Sequence, residues 1–210
     1  MSKPPKILAF AGSLREKSYN KRVLQVVIEG ARKAGAEVTH IDLLDFEMPI
    51  YNADVQEKEG FPENAVKLQK LLLEHDGLLI ASPEYNASLP AGLKNAIDWT
   101  SRANGDLKTV ECFKGKVAAI TTASPGAFGG IRCLGHLRDV LTIMLVNVLP
   151  SQIAVGKVHE MFDGDNAEMK DEKMRGILEN LGKSLTDMLR KTHGEVEVVA
   201  SAASDISNKQ

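Results

Sequence analysis

The sequence predicts a three-layer α/β fold in which a five-stranded parallel sheet of order 2-1-3-4-5 lies between two layers of helices. Short apolar runs alternate along the chain with segments whose apolar residues recur at helical spacing. The runs lack the period-two alternation of half-exposed strands, and this absence is typical of parallel strands covered on both faces. Because neither an internal repeat nor a linker-like segment interrupts the 210 residues, we expect one domain.

The first strand and the first helix open the N-terminal half. "KILAFA", from Lys6 to Ala11, is an apolar run that ends at Gly12, as expected of a buried strand. After a polar loop, apolar residues at helical spacing between Val23 and Ala31 predict a helix, which ends at Gly35. The next elements are a strand over 38–43, the irregular segment "FEMPIYNADV", a helix opened by Pro62 and the strand "GLLIAS" from Gly77.

The C-terminal half continues the alternation. Pro90 suits the first position of a helix, so "AGLKNAIDWTSR" is predicted to be helical. The remaining elements are the strand "KVAAITTAS", a helix from Gly130, the strand "NVLPSQIAV" and a helix over 168–190. Residues 194–210 are rich in Ala and Ser, and we expect them to form a flexible tail.

Composition limits the partners and the compartment. With 26 basic and 28 acidic residues the formal charge is −2, so no strong field recruits nucleic acid or an anionic membrane. Small molecules or copies of the chain are the expected partners. The N-terminus lacks the pattern of a signal peptide and no segment could span a bilayer, which predicts a cytoplasmic protein. Cys112 and Cys133 have no metal-ligand or CxxC spacing, and we expect two buried thiols without a disulfide.

The loop after the first strand, "GSLREKSYN", contains several groups that bind anions. It has neither the GxGxxG pattern of dinucleotide sites nor the lysine-containing pattern of triphosphate loops. Ser13, Ser18 and Asn20 offer hydroxyl and amide donors, Arg15 offers charge, and the following helix presents its positive end. The loop therefore suits a single phosphate. The alternative is that Ser18 or Asn20 only caps the helix and Arg15 is solvated.

The loop after the third strand begins the stretch "SPEYNASLPAGLKNAIDW". Pro83 fixes a backbone angle, Tyr85 can lie beside a flat ring, and Asn86 tolerates turn conformations while offering donors and acceptors. Such a loop can border a heteroaromatic ligand with its backbone N–H groups. The alternative is an ordinary turn in which Tyr85 is simply packed.

The loop after the fourth strand contains "TASPGAFGG", in which three glycines surround Phe128. Glycines allow the backbone to approach a bulky ligand closely. In a sheet of the predicted order, the loops after the first, third and fourth strands meet at one edge, where such folds bind ligands. Together the three loops predict a binding site more strongly than any one of them does.

The stretches GSLREKSYN, SPEYNASLPAGLKNAIDW and SPGAFGGIR resemble the NADPH-dependent FMN reductases of the flavodoxin-like fold, a group that includes bacterial quinone and chromate reductases and azoreductases. The likeness covers roughly residues 6–190. It implies that residues 1–193 form a flavodoxin-like FMN-binding reductase domain. It also implies that FMN is bound, that NADPH or NADH donates electrons, and that the acceptor is a small molecule such as a quinone, flavin or azo compound.

The resemblance also assigns residues to the cofactor. The FMN phosphate would be bound by the first loop, the isoalloxazine ring bordered by the second, and its far side completed by the third. The cofactor-binding residues implied are Ser13, Arg15, Ser18, Tyr19, Asn20, Pro83, Glu84, Tyr85, Asn86, Ser124, Gly126 and Gly129. No side chain is assigned as catalytic, because flavin N5 carries the hydride, and the two substrates would react in turn by a ping-pong mechanism.

Some alternatives stay open on the sequence alone. A flavodoxin-type electron carrier serving a protein partner is the second interpretation, disfavoured because such carriers are strongly acidic whereas this chain is nearly neutral. Cys133 lies near the third loop but is more simply a buried hydrophobe. Arg102 either reaches a neighbouring subunit's cofactor site or is solvated. The apolar stretch "LTIMLVNVL" and the resemblance predict a homodimer or homotetramer.

Overall fold

A computed structural model describes residues 3–164 and 168–207, with the side chains of the last helix described as far as residue 192. It shows a parallel sheet covered by helices on both faces, in which the strands, numbered along the chain, lie in the order 2-1-3-4-5 and a sixth short strand pairs with the fourth. The predicted fold class and strand order are confirmed. None of the helices in this part of the chain is long and apolar enough to cross a membrane.

The elements of the described residues follow in chain order. The strands are β1 Lys6–Ala11, β2 Glu37–Asp42, β3 Gly77–Ala81, β4 Val117–Ala123, β5 Asn147–Val148 and β6 Ile153–Val155. The α-helices are α1 Tyr19–Lys33, α2 Ala53–Glu59, α3 Glu63–Glu74, α4 Ala91–Thr100, α5 Ile131–Ile143 and α6 Glu172–Ser207. Single 3₁₀ turns span Leu43–Phe46 and Val158–Met161.

The strands are apolar at successive positions because both faces of the sheet are covered. In β1, Ile7 and Ala9 belong to the core shared with α1 and α6, whereas Leu8 and Phe10 belong to the core shared with α3, α4 and α5. All four side chains are at most 4% exposed. Since every strand pair is parallel, the carboxyl ends of β1, β3 and β4 meet at one edge, where the three predicted loops emerge.

Helix α1 lies against α6 at a close crossing. A Cβ atom on Gly30 would lie 2.0 Å from the carbonyl oxygen of Glu179, and one on Gly182 would lie 2.0 Å from the carbonyl oxygen of Val27. Only glycine lets the two backbones approach this closely. The crossing holds α1 on the sheet with its first turn at the edge where the loops meet.

The predicted fifth strand is wrong in detail, because "NVLPSQIAV" forms two short strands. β5 pairs with the start of β4 and β6 with its end, and Pro150 lies in the break. Proline has no N–H to donate to the ladder. The Arg138 guanidinium instead donates to the carbonyl oxygens of Val148 and Leu149, at 3.2 and 2.6 Å.

Further boundaries differ from the prediction. The strand predicted over 38–43 ends at Asp42, and the Leu43–Phe46 turn follows it. The segment expected to be irregular, residues 46–55, contains the end of this turn and the start of α2, a short helix that Asn52 caps and that buries no residue. Without an apolar stripe, periodicity could not reveal it. The last helix was predicted over 168–190, but it begins at Glu172 and continues to Ser207. The flexibility of the tail stays a prediction, and its residues 208–210 lie outside the described part of the chain.

Candidate functional site

A cavity of about 120 Å³ lies where the loops after β1, β3 and β4 meet. Most of the residues predicted to bind a cofactor line it. Its walls are Ser13, Arg15, Ser18, Tyr19, Asn20, Pro83, Glu84, Tyr85, Ala123, Ser124 and Pro125. Sequence reasoning missed Ala123 and Pro125, whereas Asn86, Gly126 and Gly129 were predicted and are not among the walls. The fold thus brings residues more than 100 positions apart into one site.

The first loop presents the start of α1 to the cavity. The Ser18 hydroxyl accepts a hydrogen bond from the Asn20 backbone N–H at 3.2 Å, which makes Ser18 the N-cap. The Ser13 hydroxyl accepts from the Arg15 N–H at 3.4 Å. The first turn of α1 contains no acidic residue, so its positive end is not neutralised by its own sequence. The capping interpretation is confirmed for Ser18, and the same residue still lines the cavity.

Asn20 joins α1 to the end of β4. Its Oδ1 accepts from the Ala123 N–H at 2.9 Å, and its Nδ2 donates to the Ala123 carbonyl oxygen at 3.0 Å. The side chain is buried, so these two bonds replace bonds to water. Asn20 therefore fixes the position of the first loop relative to the third, a role that its place in the sequence did not reveal.

Arg15 is the cation of the site. Within residues 3–164 and 168–207 its guanidinium makes no side-chain hydrogen bond or ion pair, and the residue is exposed. The one carboxylate in the cavity wall belongs to Glu84, which has other partners. The charge of Arg15 is therefore available to an anion that enters the cavity.

Glu84 caps α5 from the neighbouring loop. Its Oε2 accepts from the backbone N–H groups of Arg132 at 2.9 Å and Cys133 at 3.1 Å. Its Oε1 lies 3.4 Å from the Arg132 guanidinium. The helix needs this outside cap because its own N-cap residue, Gly130, has no side chain. The Glu84 carboxylate is thus held by α5 while its backbone belongs to the loop after β3.

The loop after β3 closes in a tight turn. Tyr85 and Ser88 exchange two backbone hydrogen bonds of 3.0 Å, and the residues between them, Asn86 and Ala87, have φ of 50° and 64°. Asparagine tolerates this left-handed region, whereas alanine is strained there. The Tyr85 side chain is 46% exposed, so the alternative of a simply packed tyrosine is wrong. The structure leaves its ring free to contact a ligand.

Two glycines of the third loop differ in how closely the protein's own atoms surround them. Gly129 has φ of 62°, and a Cβ there would lie 2.6 Å from the Gly156 nitrogen, so it is needed against the protein's own backbone. Gly126 has room for a Cβ, since the nearest atom would be Ser124 Oγ at 3.5 Å. That hydroxyl accepts from the Gly126 N–H at 3.1 Å. The assignment of Gly126 and Gly129 to the cofactor stays a prediction.

Neither thiol lines the cavity, and Arg102 has partners in its own subunit. Cys112 and Cys133 are free and buried, and burial raises the pKa of both thiols above the ordinary value. The Cys133 thiol donates to Ser82 Oγ at 3.3 Å. The Arg102 guanidinium lies 4.7 Å from the centre of the Tyr51 ring and donates to the Asp98 carbonyl oxygen at 3.2 Å.

The described residues contain no group of three or more His, Cys, Asp or Glu side chains that could hold a metal ion. The donors around the cavity are hydroxyls, backbone N–H groups and a guanidinium. This set is suited to an anionic ligand with a flat polar ring, the type of ligand that backbone and hydroxyl donors orient in such folds.

Comparison with known proteins agrees with this geometry. Residues 5–160 match the family model described as NADPH-dependent FMN reductase. The chain is 36% identical over 187 residues to "Quinone reductase" of Escherichia coli strain K12, covering 89% of this chain and 94% of that protein. It is 35% identical over 195 residues to "NAD(P)H-dependent FMN reductase PA1204" of Pseudomonas aeruginosa, covering 92% of this chain and 100% of that protein.

Solved structures show the same architecture. The flavoenzyme NAD(P)H:(acceptor) oxidoreductase FerB of Paracoccus denitrificans superposes with a TM-score of 0.72 at 27% identity, over 89% of this chain and 98% of that one. A flavodoxin from the domain Archaea superposes with a TM-score of 0.57 at 11% identity, over 88% of this chain and 99% of that one. The second likeness shows the fold alone.

Proposed function

This chain belongs to the NADPH-dependent FMN reductase family, and on that premise we propose that it is an FMN-dependent NAD(P)H oxidoreductase that reduces quinones or similar small acceptors by a ping-pong mechanism. One observation carries the proposal. The Arg15 cation, two hydroxyls and the start of α1 line one cavity together with Pro83 and the half-exposed Tyr85. A molecule with a phosphate at one end and a flat ring at the other fits this arrangement.

The phosphate end of FMN fits the first loop. A phosphate monoester carries a charge of about −1.5 to −2 at neutral pH and accepts several hydrogen bonds. Arg15 supplies an opposite charge, Ser13 and Ser18 supply hydroxyl donors, and the unneutralised start of α1 adds its dipole. The Glu84 carboxylate repels the phosphate only weakly, because Arg132 and two backbone N–H groups of α5 already offset its charge.

The ring end fits the second and third loops. Pro83 and Tyr85 form one wall and Ser124 with Pro125 another, and the Glu84 and Asn20 bonds fix both walls to the fold. When bound, FMN would supply the two-electron chemistry between a nicotinamide and an acceptor. The chain itself would orient the flavin and leave one side of it accessible to both substrates in turn, which is why we propose ping-pong order.

We also propose that the domain spans residues 1–193, that it acts in the cytoplasm and that it forms a homodimer or homotetramer. The two free thiols suit a reducing compartment. Large apolar side chains are exposed before, within and after α5, at Phe128, Ile131, Ile143 and Leu145. Exposed apolar side chains of this size favour self-association where they adjoin on the surface. Sedimentation as a monomer at micromolar concentration would contradict this.

The test of the activity is anaerobic mixing of the purified, flavin-loaded protein with NADPH or NADH. We expect the yellow colour to bleach, to return on addition of benzoquinone, and initial rates that give parallel lines in double-reciprocal plots. A protein that binds no FMN would refute the proposed cofactor. A yellow protein that neither nicotinamide bleaches would favour the electron carrier instead.

A further inference from the structure

The loop after β3 is joined to α5 at two points, one on each side of Tyr85. Before Tyr85, the Glu84 carboxylate accepts from two backbone N–H groups in the first turn of α5. After it, Ser88 Oγ and His136 Nδ1 are hydrogen-bonded at 2.9 Å. The two points lie one helical turn apart, because residues four positions apart, such as Arg132 and His136, share one face of a helix. The proposed function gives His136 no role.

The turn between these two points has an unfavourable backbone conformation. Tyr85 and Ser88 exchange two backbone hydrogen bonds, and Ala87 between them has φ of 64°. An alanine in this left-handed region costs free energy, since its Cβ crowds the backbone. Strain of this kind persists only where the surrounding structure holds it. The turn therefore depends on contacts outside its own four residues.

The outside contact comes from α5. Among the described residues, the bond between Ser88 and His136 is the one side-chain hydrogen bond that residues 85–88 make to another element. Helix α5 is a rigid support for it, because Leu134 and Leu137, on either side of His136, are at most 1% exposed in the core. The bond thus ties the strained turn to a helix that is fixed on the sheet.

The turn in its place positions Tyr85 at the ring end of the candidate site. Tyr85 lines the cavity next to Pro83 and is 46% exposed, and its hydroxyl makes no hydrogen bond to the described residues. The position of its ring is therefore set by the backbone of the turn. His136 is not among the cavity walls. Any effect of His136 on a ligand must then pass through the turn.

We propose that His136 and Ser88 are positioning residues, which hold the turn in the form that places Tyr85 beside the flavin ring. The proposal rests on the proposed function. A turn that is fixed before the ligand arrives loses little freedom on binding, and this favours affinity. Loss of the bond should weaken contacts at the ring end and leave those at the phosphate end unchanged.

The first test needs no cofactor. It measures hydrogen exchange of the Tyr85 and Ser88 amides in flavin-free protein, because both amides donate within the turn. His136→Leu should speed their exchange about three- to tenfold. His136→Asn keeps a polar group near the position of Nδ1 and should restore most of the protection. Asp139→Leu, at an exposed position of the same helix, is the matched control and should change neither amide.

The second test measures the Kd of FMN and of riboflavin from the quenching of flavin fluorescence. His136→Leu should weaken both ligands about three- to fivefold, because they share the ring. A phosphate contact such as that of Arg15 would affect FMN alone. Ser88→Ala should act like His136→Leu. The double variant should be no weaker than either single variant, since both remove the same bond.

The third test removes the strain instead of the bond. Glycine adopts a φ of 64° without the cost that alanine has, so Ala87→Gly should make the turn independent of its outside support. Combined with His136→Leu, it should restore both the amide protection and the flavin affinity. A residue that contacted the ligand directly could not be replaced in this way. Thermal unfolding of every variant verifies that it folds.

The outcomes separate the positioning role from the function. If His136→Leu binds both flavins as the original protein does and keeps the amide protection, the positioning role alone is overturned. It is also overturned if Ala87→Gly fails to restore the His136→Leu variant. A protein that binds neither flavin overturns the proposed function and, with it, the role of the turn beside the flavin ring.

Discussion

Replacing Glu84 by alanine removes the carboxylate that holds the loop after β3 on the start of α5. Two backbone N–H groups then lose a charged acceptor, and each such bond contributes about 1.5 kcal/mol. The Arg132 side chain is 60% exposed, so its ion pair adds little. The Glu84 side chain is only 16% exposed, so water replaces the lost acceptor incompletely. We therefore expect the free energy of unfolding to fall by about 3 kcal/mol.

The measurement is denaturant unfolding of flavin-free protein, followed by far-UV circular dichroism, with the melting temperature as a second readout. For a chain of this size the loss corresponds to about 6–12 °C. Glu84→Gln keeps one acceptor oxygen and should lose about 1 kcal/mol. Asp139→Ala, at an exposed position of the same helix, is the control and should change little. If Glu84→Ala were as stable as the original protein, the capping role would be refuted.

Arg15→Ala should weaken FMN binding about ten- to a hundredfold, because a charge-assisted contact is worth about 1.5–3 kcal/mol, while riboflavin, which lacks the phosphate, should bind both proteins equally. Equal weakening of the two ligands would mean that Arg15 acts on the ring or on folding. The Cys112→Ala, Cys133→Ala double variant should keep most of its NAD(P)H:quinone activity, and since both thiols are buried with raised pKa, iodoacetamide should label neither in the native protein. Loss of activity would imply a thiol role. Gly30→Ala should destabilise the fold by about 3 kcal/mol, because its Cβ meets the backbone of α6, whereas Gly135→Ala, with open space around it, should be neutral or stabilising. Similar melting temperatures for these two variants would contradict the close crossing.

The parts of the fold that could be predicted are those that depend on local pattern. Buried parallel strands leave apolar runs, and α1 leaves an apolar stripe, so the three-layer class followed from the sequence. The strand order followed from the order that five-stranded sheets of this class commonly adopt. The break at Pro150 is accompanied by hydrogen bonds from Arg138 to the Val148 and Leu149 carbonyl oxygens, which apolar periodicity does not encode. The α2 helix buries nothing, and its stability comes from the Asn52 cap rather than from a stripe. Periodicity could not find either feature.

The position of the candidate site could be predicted from the sequence, but the roles of its residues could not. Polar loops at the ends of β1, β3 and β4 must meet in a sheet of this order, so the site itself follows from topology. The bond from Asn20 to Ala123 joins residues 103 positions apart, and the bond from Glu84 to Arg132 joins residues 48 apart. Such pairings are set by packing of whole elements. The sequence alone shows a polar residue and leaves its partner undetermined.

The polar residues of the site form two groups, one whose side chains are hydrogen-bonded to the protein and one whose side chains are exposed. The side chains of Asn20 and Glu84 are hydrogen-bonded to backbone groups of the protein, so they hold the three loops in position before any ligand binds. Arg15 and Tyr85 are exposed, and within the described part of the chain their side chains make no hydrogen bond. Both are therefore free to bind a ligand. Loss of a residue of the first group should reduce stability and affinity together. Loss of one of the second should reduce affinity alone, because only the ligand then loses a partner.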